Sequence, residues 1–249
     1  MFGTLALDNS DLVILILICF FAGLIRGFSG FGLSAFVMSL ALTIIPPIEL
    51  IPVCWWMEFV ASVFMIRNGW KDSDKKISII LWLGAIFGLP IGLYLTTILD
   101  FKTSKIVALV LILILALILL RDFKIQFLST SVGTISSGVF AGVATGLASI
   151  GGMIVAIYVL ASQSSARRVR ASIVLYIFLN SVTTFIFLIL FDVMDHKAFV
   201  RGVLLAVPSS IGVVLGSILF MQKLEKYYRP FSLGLLISFS LVGLIRLTG

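Results

Sequence analysis

Apolar and polar positions divide the chain into ten long apolar runs separated by short polar stretches. The runs fall near 11–25, 33–45, 51–66, 77–99 and 104–120, then 131–147, 150–162, 171–191, 202–221 and 231–247. A helix needs about 20 residues, at ~1.5 Å rise each, to cross the hydrocarbon core of a bilayer. Most runs approach that length once flanks and tilt are allowed. The predicted class is therefore an all-α polytopic membrane protein. Two runs, 33–45 and 150–162, are too short to cross as straight helices, and each follows a glycine-rich stretch. Short or broken helices are expected there.

The two short runs hold matching places in an internal repeat. F-A-G-L-I-R-G-F-S-G-F-G at 21–32 lies over F-A-G-V-A-T-G-L-A-S-I-G at 140–151, an offset of 119. Gly23, Gly27 and Gly32 fall on Gly142, Gly146 and Gly151. Further on, G-L-P-I-G at 88–92 lies over G-V-V-L-G at 212–216, an offset of 124, so the second half carries a small insertion. The chain reads as two membrane repeats of about five segments, 1–125 and 126–249, within one integral membrane domain.

Composition agrees. Of 249 residues, 61% are hydrophobic and 12% charged, with mean hydropathy +1.23. A soluble domain has roughly 45–50% apolar and about 25% charged residues, so the bilayer must act as solvent. No long hydrophilic stretch marks a soluble domain. The N-terminus lacks a basic region and small-residue cleavage site, so the first run is expected to stay as a span. The net charge of +7 is spread between apolar runs, which suits loops beside anionic lipid and argues against nucleic acid.

Placing the N-terminus outside, the cytoplasmic side receives Arg26, Arg67, Lys71, Lys75, Lys76, Arg121, Lys124, Arg167, Arg168, Arg170, Lys223, Lys226 and Arg229. The outer side keeps Lys102, Lys105, Lys197, Arg201 and Arg246, which is 13 bases against 5. This positive-inside bias predicts a multi-pass protein of the inner (plasma) membrane with both termini outside. The K-D-S-D-K-K loop at 71–76 corresponds to the less basic D-V-M-D-H-K at 192–197. The base-free P-P-I-E at 46–49 corresponds to A-R-R-V-R at 166–170. Related stretches with opposite charge bias mark the repeats as inverted.

Candidate chemistry centres on the two breaks. Non-helical backbone at membrane depth is tolerated where protein or a water-filled cavity satisfies it. Helices starting near Leu33 and Met153 would aim free N–H groups and a positive dipole end at such a cavity, which favours an anion. The first break runs from Arg26 and Gly27 through Ser29, Gly30 and Phe31 to Gly32; the second contains Gly146, Ser149, Gly151 and Gly152. The competing reading is that these glycines only permit tight helix crossing. Arg26, whose counterpart is Thr145, either contacts an anion or snorkels from a helix end. Ser29 and Ser149 either donate to a ligand or bond their own backbone.

Glu58 lies mid-segment, where an ionised carboxylate is costly. It reads as a proton-coupling residue or as one partner of a static salt bridge. At an interpolated offset of 122 it meets Asn180, so both halves put a polar residue mid-helix beside a shared cavity. Arg170 reads either as a topology signal or as a base gathering anions at the cytoplasmic mouth. Cys19 and Cys54 read as apolar packing, and His196 stands alone in an outer loop. No metal, cofactor or enzymatic activity is expected. Trp55, Trp56, Trp70, Trp82, Tyr227 and Tyr228 suit an interfacial belt.

At these residues the chain resembles the sulfite exporter TauE/SafE family of membrane permeases. The likeness is carried by G-L-I-R-G-F-S-G-F-G at 23–32, P-P-I-E-L-I-P at 46–52, G-L-A-S-I-G-G at 146–152 and R-A-S-I-V-L-Y at 170–176. It implies a two-repeat transporter of sulfite, organosulfonates or related sulfur anions, using the glycine-rich segments for binding. Arg26, Gly27, Ser29, Gly30, Gly32, Gly146, Ser149, Gly151, Gly152 and Arg170 are the positions it points to. Many relatives carry S-G-P-P where this chain has A-S-I-G-G, which implies a differently shaped second half-site. The expected function is secondary transport, as export, of a small anion by alternating access. A passive anion channel of the same fold and a non-transporting assembly protein are the alternatives. The expected partners are the anion and the lipid bilayer, and a homo-oligomer is compatible with the chain.

Overall fold

The computed structural model describes residues 8–120, 130–161, 165–219, 233, 234 and 236–245. Their regular elements are all helices. In order these are α1 (Asn9–Ser29), α2 (Leu33–Ala41), α3 (Pro47–Asp72), α4 (Lys75–Ile98), α5 (Phe101–Leu120), α6 (Ser131–Ala148), α7 (Gly151–Ala161), α8 (Ala166–Leu190) and α9 (His196–Ile218). The last, α10, covers Leu236–Ile245. Helices α1, α3, α4, α5, α8 and α9 are long and apolar enough to cross a membrane. The two short runs are short helices, with 9 residues in α2 and 11 in α7. The expected repeat boundary at 125/126 lies outside the described residues. So do Arg121, Lys124, Lys223, Lys226, Arg229, Arg246, Tyr227 and Tyr228.

Helix starts follow local chemistry. Asp74, Thr130, Ser165 and Asp195 accept from backbone N–H groups in the first turns of α4, α6, α8 and α9. Asp100 does the same for Thr103 N–H at 3.0 Å. Hydrogen bonds from the Thr103 side chain and backbone hold that exposed carboxyl below its usual range. His196 opens α9 and does not lie in a loop.

Glycine decides which helices meet. In α1, Gly23 and Gly27 lie against the backbone of Ser209 and Val213 in α9, while Gly212 and Gly216 of α9 lie against Phe20 and Leu24. Residue numbers rise together, so the two helices run parallel. In α4, Gly84, Gly88 and Gly92 meet Ile135, Val139 and Val143 of α6, again in parallel. Such close approach is what small residues allow when lipid supplies no hydrophobic drive between helices. Helix α3 packs antiparallel on α8, from Trp55 beside Ser181 to Asp72 beside Arg167. Carrying α1 to α6, α3 to α8 and α4 to α9 turns one set of contacts into the other with helix directions reversed. The bundle is thus inverted-repeat in its packing.

A side chain on these glycines has nowhere to go. A Cβ on Gly88 would run into the Val139 carbonyl. Gly88→Val should therefore cost at least about 1–3 kcal/mol through overpacking. Gly234→Ala adds a carbon that meets nothing within 4 Å and serves as control. A tryptophan-fluorescence melt in detergent should drop for the first and not for the second; equal melts would mean that α4 and α6 can part freely.

Candidate functional site

The first break is built from Arg26 outward. One turn before the end of α1, Arg26 exposes none of its surface. Its Nε donates to Glu58 Oε2 at 2.8 Å, Nη2 to Ser62 Oγ at 3.1 Å, and Nη1 to the carbonyl of Gly30. The other carboxylate oxygen of Glu58 accepts from the Ser34 hydroxyl at 3.0 Å and from Ser34 N–H at 3.4 Å. Ser34 is the second residue of α2, so Glu58 sits on the positive end of that helix. Each nitrogen of the guanidinium and each oxygen of the carboxylate has a partner. That condition makes a buried ion pair tolerable.

Gly30 and Gly32 take left-handed backbone, φ 86° and 92°, and turn the chain from α1 into α2. Ser29 Oγ lies 2.8 Å from the Ile25 carbonyl and 2.7 Å from that of Phe31, and accepts from Phe31 N–H. Its hydroxyl is spent on the turn itself. Arg170 crosses from α8, laying its aliphatic chain on Gly30 and donating through Nη2 to Gly27 O and to Ser217 Oγ. It lies close enough for its charge to act on Arg26. Among the described residues, two guanidiniums and one carboxylate thus share the first break.

The second break repeats the fold with different chemistry. Ser149 stands where the first break has Gly30 and takes the same left-handed backbone, φ 58°. Helix α7 starts at once at Gly151, two residues before the expected Met153, because no second left-handed residue follows. Thr145, in Arg26's place, donates to the Ala141 carbonyl at 2.8 Å. The fully buried Tyr176 of α8 brings its hydroxyl beside Thr145. Judged by this contact, the counterpart of Glu58 in the second repeat is Tyr176, one turn before Asn180. Asn180 is itself buried on α8, where its Nδ2 lies 3.3 Å from Thr184 Oγ1.

A cavity of about 400 Å³ opens where the starts of α3, α5 and α9 meet the ends of α4 and α8. Glu49, Asp195, Thr97 and Thr96 line it. Glu49 is held by Lys197 at 3.0 Å and Arg201 at 2.6 Å. Thr96 Oγ1 lies 2.9 Å from the Gly146 carbonyl, so the cavity wall reaches the last turn of α6 before the second break. The Arg26–Glu58 pair is not among its walls in this conformation.

These positions sort the expected site residues. The structure brings Arg26, Glu58, Gly30 and Gly32 together, with Arg170 against them. Arg26 does not snorkel, and Arg201 and Lys105, expected in outer loops, are also buried. Gly27 and Gly146 present their α-carbons to the backbones of α9 and α4, so both serve helix crossing. Gly151 packs on Thr145 and Ala141, and Gly152 on Ile177. Phe31 is buried beside the first break. Ser34, Ser62, Tyr176 and Ser217 were not foreseen. Cys54, expected as plain packing, stands one turn from Glu58 with Ser34 at its sulfur. Trp55 belongs to the core and not to an interfacial belt, since its Nε1 donates to Ser181 O at 2.7 Å.

A model of the family described as sulfite exporter TauE/SafE matches residues 15–243. The chain belongs to the TauE/SafE family. The match takes in both breaks, the ion pair and the α3–α8 contact. TauE/SafE is a family of membrane transporters of sulfur anions, and this member is a multi-pass membrane protein. No curated protein and no solved structure matches the chain.

Proposed function

We propose that this TauE/SafE member is a secondary transporter that exports a small anion across the inner membrane, with sulfite, an organosulfonate or a related sulfur anion as cargo. The reading rests chiefly on one observation. A fully buried arginine, bonded to a carboxylate on a helix N-terminus, lies at the break of an inverted-repeat bundle. Buried charge inside a membrane bundle is expensive and usually marks a substrate or ion path. The halves 1–125 and 126–249 would rock against each other around the two breaks. The basic end of the bundle, with Arg167 and Arg168, faces the cytoplasm in this reading. The cavity beside Glu49 is then an outer vestibule, and the termini lie outside.

The test is transport current from proteoliposomes on a solid-supported membrane. The panel is sulfite, sulfate, thiosulfate, taurine, sulfoacetate and simple carboxylates. A saturable current, with exchange of one substrate molecule for another, is the expected result. Flux without saturation or exchange would mark a channel of the same fold. Silence for every anion, from protein shown to be folded, would remove the transporter reading.

A further inference from the structure

We infer that the Glu58 carboxylate occupies the place of the transported anion, so that an anion binds at Arg26 only as Glu58 takes up a proton and swings away. This deepens the transport reading and rests on it. The donors that hold Glu58 are the set an anion would need: a guanidinium, a serine hydroxyl and a backbone N–H at the start of α2. They converge on one carboxylate, and each of its oxygens is engaged.

Charge balance decides the coupling. With Glu58 ionised, an anion added beside it would place two negative charges on one guanidinium, at a depth where unpaired charge is costly. If Glu58 instead accepts a proton from water, the Arg26–Glu58 interaction breaks. The incoming anion then takes its place on Arg26 and Ser34. The pocket's net charge is the same before and after, and the proton stays on Glu58 while the anion is bound.

Among the described residues, the charged and titratable groups around Glu58 are few. Arg26 faces it from α1, α2 presents only the Ser34 hydroxyl, and Cys54 stands a turn away on α3 with Cys19 behind it. Arg170 lies against Gly30, with Nη2 donating to Gly27 O and Ser217 Oγ. Its positive charge is a second feature that an anion could use without a proton, so the experiment must separate the two cases.

The probes are methanesulfonate, whose charge does not change with pH, and whichever anion of the panel gives current. Binding to the purified protein is measured from about pH 5.5 to about pH 8.5, with proton uptake followed by an indicator dye in weak buffer. Where Glu58 is ionised, apparent affinity should fall about tenfold per pH unit as pH rises, with about one proton taken up per anion. Glu58→Gln should bind with no pH dependence, more tightly than wild type at the alkaline end, and without proton uptake. Proton uptake by the unmodified protein tests the idea even if that variant does not fold. Anion binding that is flat with pH and takes up no proton would overturn the inference, assign the balancing charge to Arg170, and leave transport standing. Failure of every anion to bind or move would overturn the transport reading, and this inference with it.

Discussion

Glu58→Ala should destabilise the folded protein by about 3–5 kcal/mol, the cost of leaving one member of a buried pair without its partner. Arg26 exposes no surface and carries a positive charge. Its remaining partners, the Gly30 carbonyl and the Ser62 hydroxyl, are neutral. Arg170 nearby adds a like charge. The α2 N-terminus loses its counter-charge as well. Thermal melting in detergent, read by tryptophan fluorescence, measures the loss. Arg26→Met in the same chain should recover most of it, because a buried pair replaced by apolar side chains of similar volume is often no less stable. Recovery by the double variant separates an electrostatic penalty from a simple packing defect, which a second truncation would deepen. A single variant that melts with wild type would show that water or an anion already compensates Arg26.

Much of this architecture is legible in the residue pattern, for reasons that are local. Hydrocarbon thickness sets run length, so the ten helices of the described residues, the short α2 and α7 among them, follow from counting. Close helix crossing requires small residues, so Gly23, Gly27, Gly88 and Gly92 and their counterparts Gly142, Gly146, Gly212 and Gly216 mark equivalent contacts. The same property hides the division of labour among them. A glycine that admits a neighbouring helix and a glycine that turns the chain look alike until the backbone is seen. Gly30 and Gly32 turn it, whereas Gly27 and Gly146 admit a helix.

The centre of the site was less legible because it is made by pairing across the chain. Arg26 and Glu58 lie 32 residues apart, and each had a plausible separate role. A signal was present: Cys54, Glu58 and Ser62 recur at four-residue spacing, so they share one face of α3. Nothing in a single chain says which helix meets that face. The insertion in the second half also cannot be placed by sequence offset. Interpolation sets Glu58 on Asn180, whereas the contact with Thr145 sets it on Tyr176, one helical turn away. In the second half two hydroxyls replace the ion pair, so the repeat preserves the fold and drops the charge.

That asymmetry sets the expectation for Arg26→Gln. If anion affinity came equally from both breaks, losing one charge would be mild. Among the described residues, however, the second break offers Thr145 and Tyr176 but no cation, so the first supplies the charge-assisted bonds. Such a bond is worth about 1.5–3 kcal/mol. Removing it should raise the half-saturating anion concentration about 10- to 150-fold, which in the proteoliposome assay is loss of current at concentrations that saturate wild type. Arg170→Gln separates field from contact. Arg170 is bonded to Gly27 O and Ser217, so removing it should alter how strongly salt depresses the current while leaving saturation within about threefold. If the two variants lose affinity equally, the anion is held by the summed charge of both guanidiniums. If Arg26→Gln alone is silent and Glu58→Gln still conducts, Arg26 is the cargo's ligand and Glu58 the group it displaces.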